Sequence, residues 1–238
     1  MQFRGTNNAR YAEIGNWVVD LRADRAAGKG AANATAHWPS SRYDLAQIHR
    51  GIVVVDAVGQ PAGTLQMAGT SPSAKAVWKV VAGWLDVAGR WKIGSHEVAT
   101  LTGGSLFARR AVALGGADAD GARLRLLGGK LSTPALYQTG RGGEFYFAGG
   151  TLEAGQVAFP VVNRGGTIAP GPGIGRTELL AKLEQLGGSV SIEVARNSSD
   201  QVVVARSVQL GGVLDLTPVP GFTPRQGDAW LVLAPCPG

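Results

Sequence analysis

The sequence predicts an all-β protein, a single right-handed parallel β-helix (β-solenoid) with an N-terminal cap and one short helix. Three observations carry that expectation. First, 36 of the 238 residues are glycine and only 7% are aromatic. Each interior glycine would cost a helix about 1 kcal/mol relative to alanine, so a helical bundle is excluded. Second, a unit of two small residues, any residue and an aliphatic one recurs through most of the chain. Clear copies are Gly103-Gly104-Ser105-Leu106, Gly128-Gly129-Lys130-Leu131, Gly149-Gly150-Thr151-Leu152, Gly165-Gly166-Thr167-Ile168, Gly187-Gly188-Ser189-Val190 and Gly211-Gly212-Val213-Leu214. Two degraded copies, Ala62-Gly63-Thr64-Leu65 and Ala82-Gly83-Trp84-Leu85, precede them. Third, alternating stretches such as Arg123-Leu124-Arg125-Leu126, Glu144-Phe145-Tyr146-Phe147, Ser191-Ile192-Glu193-Val194 and Val213-Leu214-Asp215-Leu216 supply one inward and one solvated face.

The copies are spaced by 20, 21, 25, 21, 16, 22 and 24 residues, which suits coils whose corners take insertions. A short strand cannot bury its apolar face until the next coil stacks on it about 4.8 Å away, so the unit must repeat. Seven to nine coils are expected. The second small residue of each copy, Gly63, Gly83, Gly104, Gly129, Gly150, Gly166, Gly188 or Gly212, is assigned to a corner that needs positive φ and close approach to the coil below. An antiparallel sandwich or barrel with similar turns is the competing architecture.

Taken in order, residues 1–50 form an N-terminal arm and cap. The arm carries Phe3, Tyr11 and Ile14 and is long enough to add a strand to a neighbour. Behind it, Trp17 and Trp38 are placed over the open first coil, with a polar, alanine-rich loop at 23–36 between them. Residues 51–217 form the coils, opening with a strand at 51–56. Within them the segment 177–186 (TELLAKLEQL) is expected as the one helix, because Leu179, Leu180, Leu183 and Leu186 fall on one helical face. It follows the Pro/Gly-rich loop 169–175. Residues 218–238 read as a last turn, a strand at 230–233 containing Trp230 and Val232, and a proline-rich tail. No segment reaches the ~18 apolar residues of a membrane span. Cys236 is the single cysteine, which excludes an intramolecular disulfide and a cysteine cluster for zinc.

Constellations that carry chemistry are sparse. Twenty-three Lys and Arg against 17 Asp and Glu give a net charge of +6, yet the cations are scattered and no aromatics interleave with them, so no specific nucleic-acid partner is expected. His37, His49 and His96 are isolated, and Asp118-Ala119-Asp120-Gly121 lacks the later oxygen ligands of a calcium loop. The glycines at 171, 173 and 175 are interrupted by prolines, unlike a dinucleotide loop. No catalytic residue, metal or cofactor is assigned. Glu144, Glu153, Asp118 and Asp120 would cluster only through stacking, as a β-helix lyase or hydrolase would require. Trp78, Trp91, Tyr137 and Tyr146 are weighed as sugar-stacking platforms and as core or lateral contacts, with the second preferred.

One phrase carries a family resemblance. Arg164-Gly165-Gly166-Thr167-Ile168-Ala169-Pro170-Gly171-Pro172-Gly173-Ile174-Gly175 resembles the "GGTLAPGNSPGT" element of bacterial exported β-helix proteins of the autotransporter-passenger-like and PEP-CTERM-associated type. Ser191-Ile192-Glu193-Val194, Ser199-Asp200-Gln201-Val202-Val203-Val204, Gly211-Gly212-Val213-Leu214 and Gly221-Phe222-Thr223-Pro224-Arg225-Gln226-Gly227-Asp228 follow in the family's order. Upstream, Gly15-Asn16-Trp17 and Pro39-Ser40-Ser41-Arg42-Tyr43-Asp44-Leu45-Ala46 are similar to its opening cap. Neither an autotransporter barrel nor a sorting helix is visible, which leaves the mode of anchoring open.

The resemblance implies a non-catalytic structural or adhesive protein, extracellular or at the cell surface. Its expected partner is itself, in a homo-oligomer such as a head-to-tail filament or surface layer, with surface glycans as a further expected partner. Phe3, Tyr11, Ile14, Trp230 and Val232 are the candidate self-association residues. The alternatives are a carbohydrate-active β-helix enzyme (polysaccharide lyase or hydrolase) and a monomeric glycan-binding module.

Overall fold

The computed structural model describes residues 76–117 and 121–235 and, ahead of them, the strands Gln2–Phe3, Ala9–Arg10, Trp17–Val18, Leu45–Ile48, Gly51–Val55, Gln60–Ala62 and Thr64–Met67. Their pairings define a parallel β-solenoid of about six turns, fewer than the seven to nine expected, with partial turns at either end. Strand pairing sorts each turn into three sides, called A, B and C here in chain order. Among described strands two contacts are antiparallel: Gln2–Phe3 with Trp17–Val18, and the bridge from Val194 to Ser199.

The register follows from the alternation in the sequence. On side A the inward residues Val80, Leu101, Leu126, Phe147, Asn163 and Gln185 lie next to one another from turn to turn. Side B continues the core with Leu85, Leu106, Leu131, Leu152, Ile168 and Val190. Side C contributes Trp91, Val112, Leu136, Val157, Leu179 and Val204. All of these except Val190 are buried, because every inward position is roofed by the equivalent residue one rung away. Trp78 and Trp91 fill the early turns and are fully buried. Trp78 lies beside Ala99, so a large residue is matched by a small one in the next turn.

The corner between sides A and B is made by the repeated glycine. Gly83, Gly104, Gly129, Gly150, Gly188 and Gly212 all have φ between 65° and 72°. A Cβ on Gly129 would fall 2.5 Å from the carbonyl oxygen of Gly103 in the turn below, so both conformation and stacking exclude a side chain. The seventh corner differs. Gly166 is outside the positive-φ set, and a Cβ there would run into the ring of Phe147. Asn163 holds that corner: its Oδ1 accepts from the N–H groups of Gly165 (3.1 Å) and Gly166 (2.8 Å), and its Nδ2 donates to Gly166 O (2.8 Å).

Two sequence expectations are corrected. The segment 177–186 is not a helix: it spans the end of strand Arg176–Leu179, a corner and strand Leu183–Gln185. Leu179 and Leu183 point into the core, while Leu180 and Leu186 are 38% and 49% exposed on corners. Strand pairing with turns on both sides outweighs a helical face that would have nowhere to pack. Secondly, the copy Ala62-Gly63-Thr64-Leu65 is out of phase, since Leu65 pairs with Trp91 on side C and the neighbour of Leu85 is Gln60. Gly63 itself lies outside the described residues, as do Tyr11, Ile14, Trp38 and Cys236.

Candidate functional site

Among the described residues, three places on the solenoid bring side chains together: a lateral cleft, the outer surface of side A, and the C-terminal end. The cleft, about 330 Å³, runs beside the corner between sides B and C, where the loop 169–175 projects. That loop is held by Asp200, 2% exposed, which accepts from Gly175 N at 2.6 Å and from Glu193 N at 2.7 Å. The Pro/Gly-rich phrase is therefore an insertion between two strands, pinned by an aspartate one turn on. Pro170 and Pro172 form one wall, and Phe107, Arg109, Glu153 and Arg176 line the rest.

The charges in the cleft are paired within the protein. Arg109 forms a two-pronged contact with Asp86, both bonds 2.8 Å, and this hydrogen bonding holds the guanidinium's pKa above its ordinary value. Lys130 donates to Glu153 at 2.7 Å and Arg176 to Glu178 at 3.0 Å. Asp86 and Glu153 lie on the same outer file of side B, separated by Phe107 and Ser132. Three strand spacings put them about 14 Å apart, whereas a pair of hydrolytic carboxylates sits about 5 to 9.5 Å apart. Glu144 is on side A, bonded to Arg123 at 3.3 Å, and so does not join Glu153. Asp118, Asp120, His37 and His49 lie outside the described residues. Among the described residues no group of three metal-ligating side chains forms, and no helix is long and apolar enough to cross a membrane.

Side A carries a file of outward residues on neighbouring turns. Arg125 lies next to Tyr146, with Lys79 and Thr100 in the same file. The guanidinium carbons of Arg125 and Arg164 each sit 5.9 Å from the centre of the Tyr146 ring. On side C, Arg90 lies 5.8 Å from the Tyr137 ring. The two tyrosines weighed as lateral groups are thus on outer faces and engaged by arginine, and Trp78 and Trp91 are core residues.

The C-terminal end gathers several exposed apolar residues, among them Leu210, Val213, Leu214 and Leu216. Strand Val213–Pro218 pairs on one edge with Ser189–Val194, and all six of its residues are exposed. Leu214 and Leu216 continue the files of Val190 and Ile192 but have no turn above them, and they are 54% and 44% exposed. Leu214, with Leu210 and Val213, borders a cavity of about 370 Å³ whose lining reaches the inward residues Val190 and Val202. Of the candidate self-association residues, Trp230 is turned back onto the molecule. Its Nε1 donates to Ala195 O at 2.7 Å and its ring meets Phe222 edge-on at 6.1 Å. Val232 is likewise partly buried against the core, and the terminal strand is Leu233–Pro235, paired with Val202–Val204. Phe3 lies in a strand paired with Leu45–Ile48 of the same chain.

Sequence reasoning missed Leu210, Leu214 and Leu216 as surface residues. The signal was present in the alternation of the Gly211-Gly212 copy, which marks Leu214 and Leu216 as inward, and the structure leaves both exposed. In comparisons with known proteins the chain matches no family model, no curated protein and no solved structure.

Proposed function

We propose that the chain is a non-catalytic structural or adhesive solenoid of the extracellular space or cell surface, similar in role to the exported β-helix proteins its motifs resemble, and that it associates with copies of itself. The observation that carries this reading is the open C-terminal turn. Inward leucines left at the surface and a six-residue strand with one free edge are what a second β-element would cover. A second copy supplies such elements at a matched spacing, and stacking end on end continues the parallel files.

Sedimentation velocity and light scattering of the full chain test the reading. The protein should show masses that are multiples of 24.5 kDa and grow with concentration, and Leu214→Lys with Leu216→Lys should return it to a monomer with unchanged circular dichroism. A wild-type protein that stays monomeric at high concentration overturns self-association. Depolymerisation of a uronic-acid polymer, abolished by Glu153→Gln, would replace the structural reading with a hydrolase or lyase.

A further inference from the structure

We propose that the outer face of side A binds an extended anionic polysaccharide through Lys79, Arg125 and Arg164, with Tyr146 as the platform that aligns the two arginines. The site is separate from the end contact argued above and stands whether or not the chain self-associates.

Five cations are neutralised by a carboxylate within 3.3 Å: Arg109, Lys130, Arg176 and Lys182, and on side A itself Arg123, which pairs with Glu144. Arg125, Arg164 and Lys79 have none among the described residues. Arg125 comes from the turn before Tyr146 and Arg164 from the turn after it, so one ring holds two guanidinium groups no more than twice 5.9 Å apart. Cation–π contact fixes their planes without consuming their outward N–H donors. Lys79 lies in the same file as Arg125, two rungs away, which is about 9.6 Å. Three cations with no carboxylate partner among the described residues thus recur at about two-rung intervals along the solenoid axis, a period close to the advance of a disaccharide in an extended chain.

The occupant follows from charge and shape. A single small anion gains little from exposed cations in water, so a polymer that engages several at once is favoured. The face is the outer surface of a parallel sheet, and Tyr146, its one aromatic ring among the described residues, is engaged by two arginines. It therefore lacks the free stacking platforms on which single-stranded nucleic acid depends. A linear polysaccharide carrying a carboxylate on alternate sugars fits the period.

The test uses a hyaluronan dodecasaccharide as probe, dextran of equal length as the neutral control, and the full-length chain. Binding is expected for hyaluronan and not for dextran, weakening with salt. Arg125→Gln with Arg164→Gln should weaken it at least tenfold. Arg206→Gln with Arg225→Gln removes the same charge from the exposed C-terminal region and should change binding by less than twofold. Tyr146→Ala should lose affinity and Tyr146→Phe retain it. Equal losses in the two double variants, unchanged binding in the first, or tighter binding of an oligothymidylate of equal charge would each overturn the proposal. Because Leu214→Lys with Leu216→Lys leaves side A untouched, that variant should bind as well as wild type, which separates this result from the outcome for self-association.

Discussion

At Gly129 the sequence and the structure agree for a reason that belongs to one residue: φ is +68°, and the space for a Cβ is taken by the backbone of Gly103. The left-handed conformation alone costs another residue about 1 to 2 kcal/mol, and the backbone contact adds to it. Gly171 has φ +92° but nothing within 4 Å of its Cβ position. Gly129→Ala should therefore lose more stability in urea unfolding than Gly171→Ala, and equal losses would show that stacking at the corner is unimportant. Paired glycines announce themselves in a sequence because few other residues tolerate this geometry. Asn163 does not. It reads as an ordinary strand end, and only the shortened turn after Phe147, which brings its amide to the corner and onto Gln185 at 3.1 Å, reveals its task.

Elements were legible where alternation is long and illegible where strands shrink to a few residues. The strands Ala122–Gln138 and Gly143–Val157 each run through all three sides of a turn, and their pattern is plain in the sequence. Arg176–Leu179 and Leu183–Gln185 are so short that the corner between them restores a spacing of three and four, which imitates a helix. Substitution separates the two arrangements. In the solenoid Leu183→Ala should cost about 2 to 5 kcal/mol and Leu180→Ala no more than about 0.5 kcal/mol. A helix buried along its leucine face would make the two losses similar. The side A site was hidden for a related reason: Arg125, Tyr146 and Arg164 are far apart in the chain, and only the register of two successive turns brings them together.

For the whole molecule, a stack in which each turn touches its neighbours predicts a gradient of stability. Amide exchange should be slowest in Ala122–Gln138 and Gly143–Val157, which are paired on both edges. It should be fastest in Val208–Gln209 and Val213–Pro218, where the stack runs out. Uniform protection would mean a single cooperative unit. The overall path was readable from the Gly-Gly series from Gly83 onward. The phase of the first turn was not, because a small-small pair ahead of Thr64 mimics the corner while the pairing of Leu65 with Trp91 places that segment on another side.

The corner between sides A and B also acts as a counter. From Val80 and Leu85 through Leu101 and Leu106, Leu126 and Leu131, Phe147 and Leu152, and Asn163 and Ile168, to Gln185 and Val190, the inward residues flanking it are five apart, although whole turns measure 21, 25, 21, 16 and 22 residues. All variation in length is confined to the other two corners. Under tension applied along the axis, each turn would peel from the next as a loop of its own contour length. Release would then come in unequal steps, from about 55 Å for the 16-residue turn to about 85 Å for the 25-residue one. The irregular spacing that looks like noise in the sequence would become a barcode, read in order from whichever end the molecule is pulled.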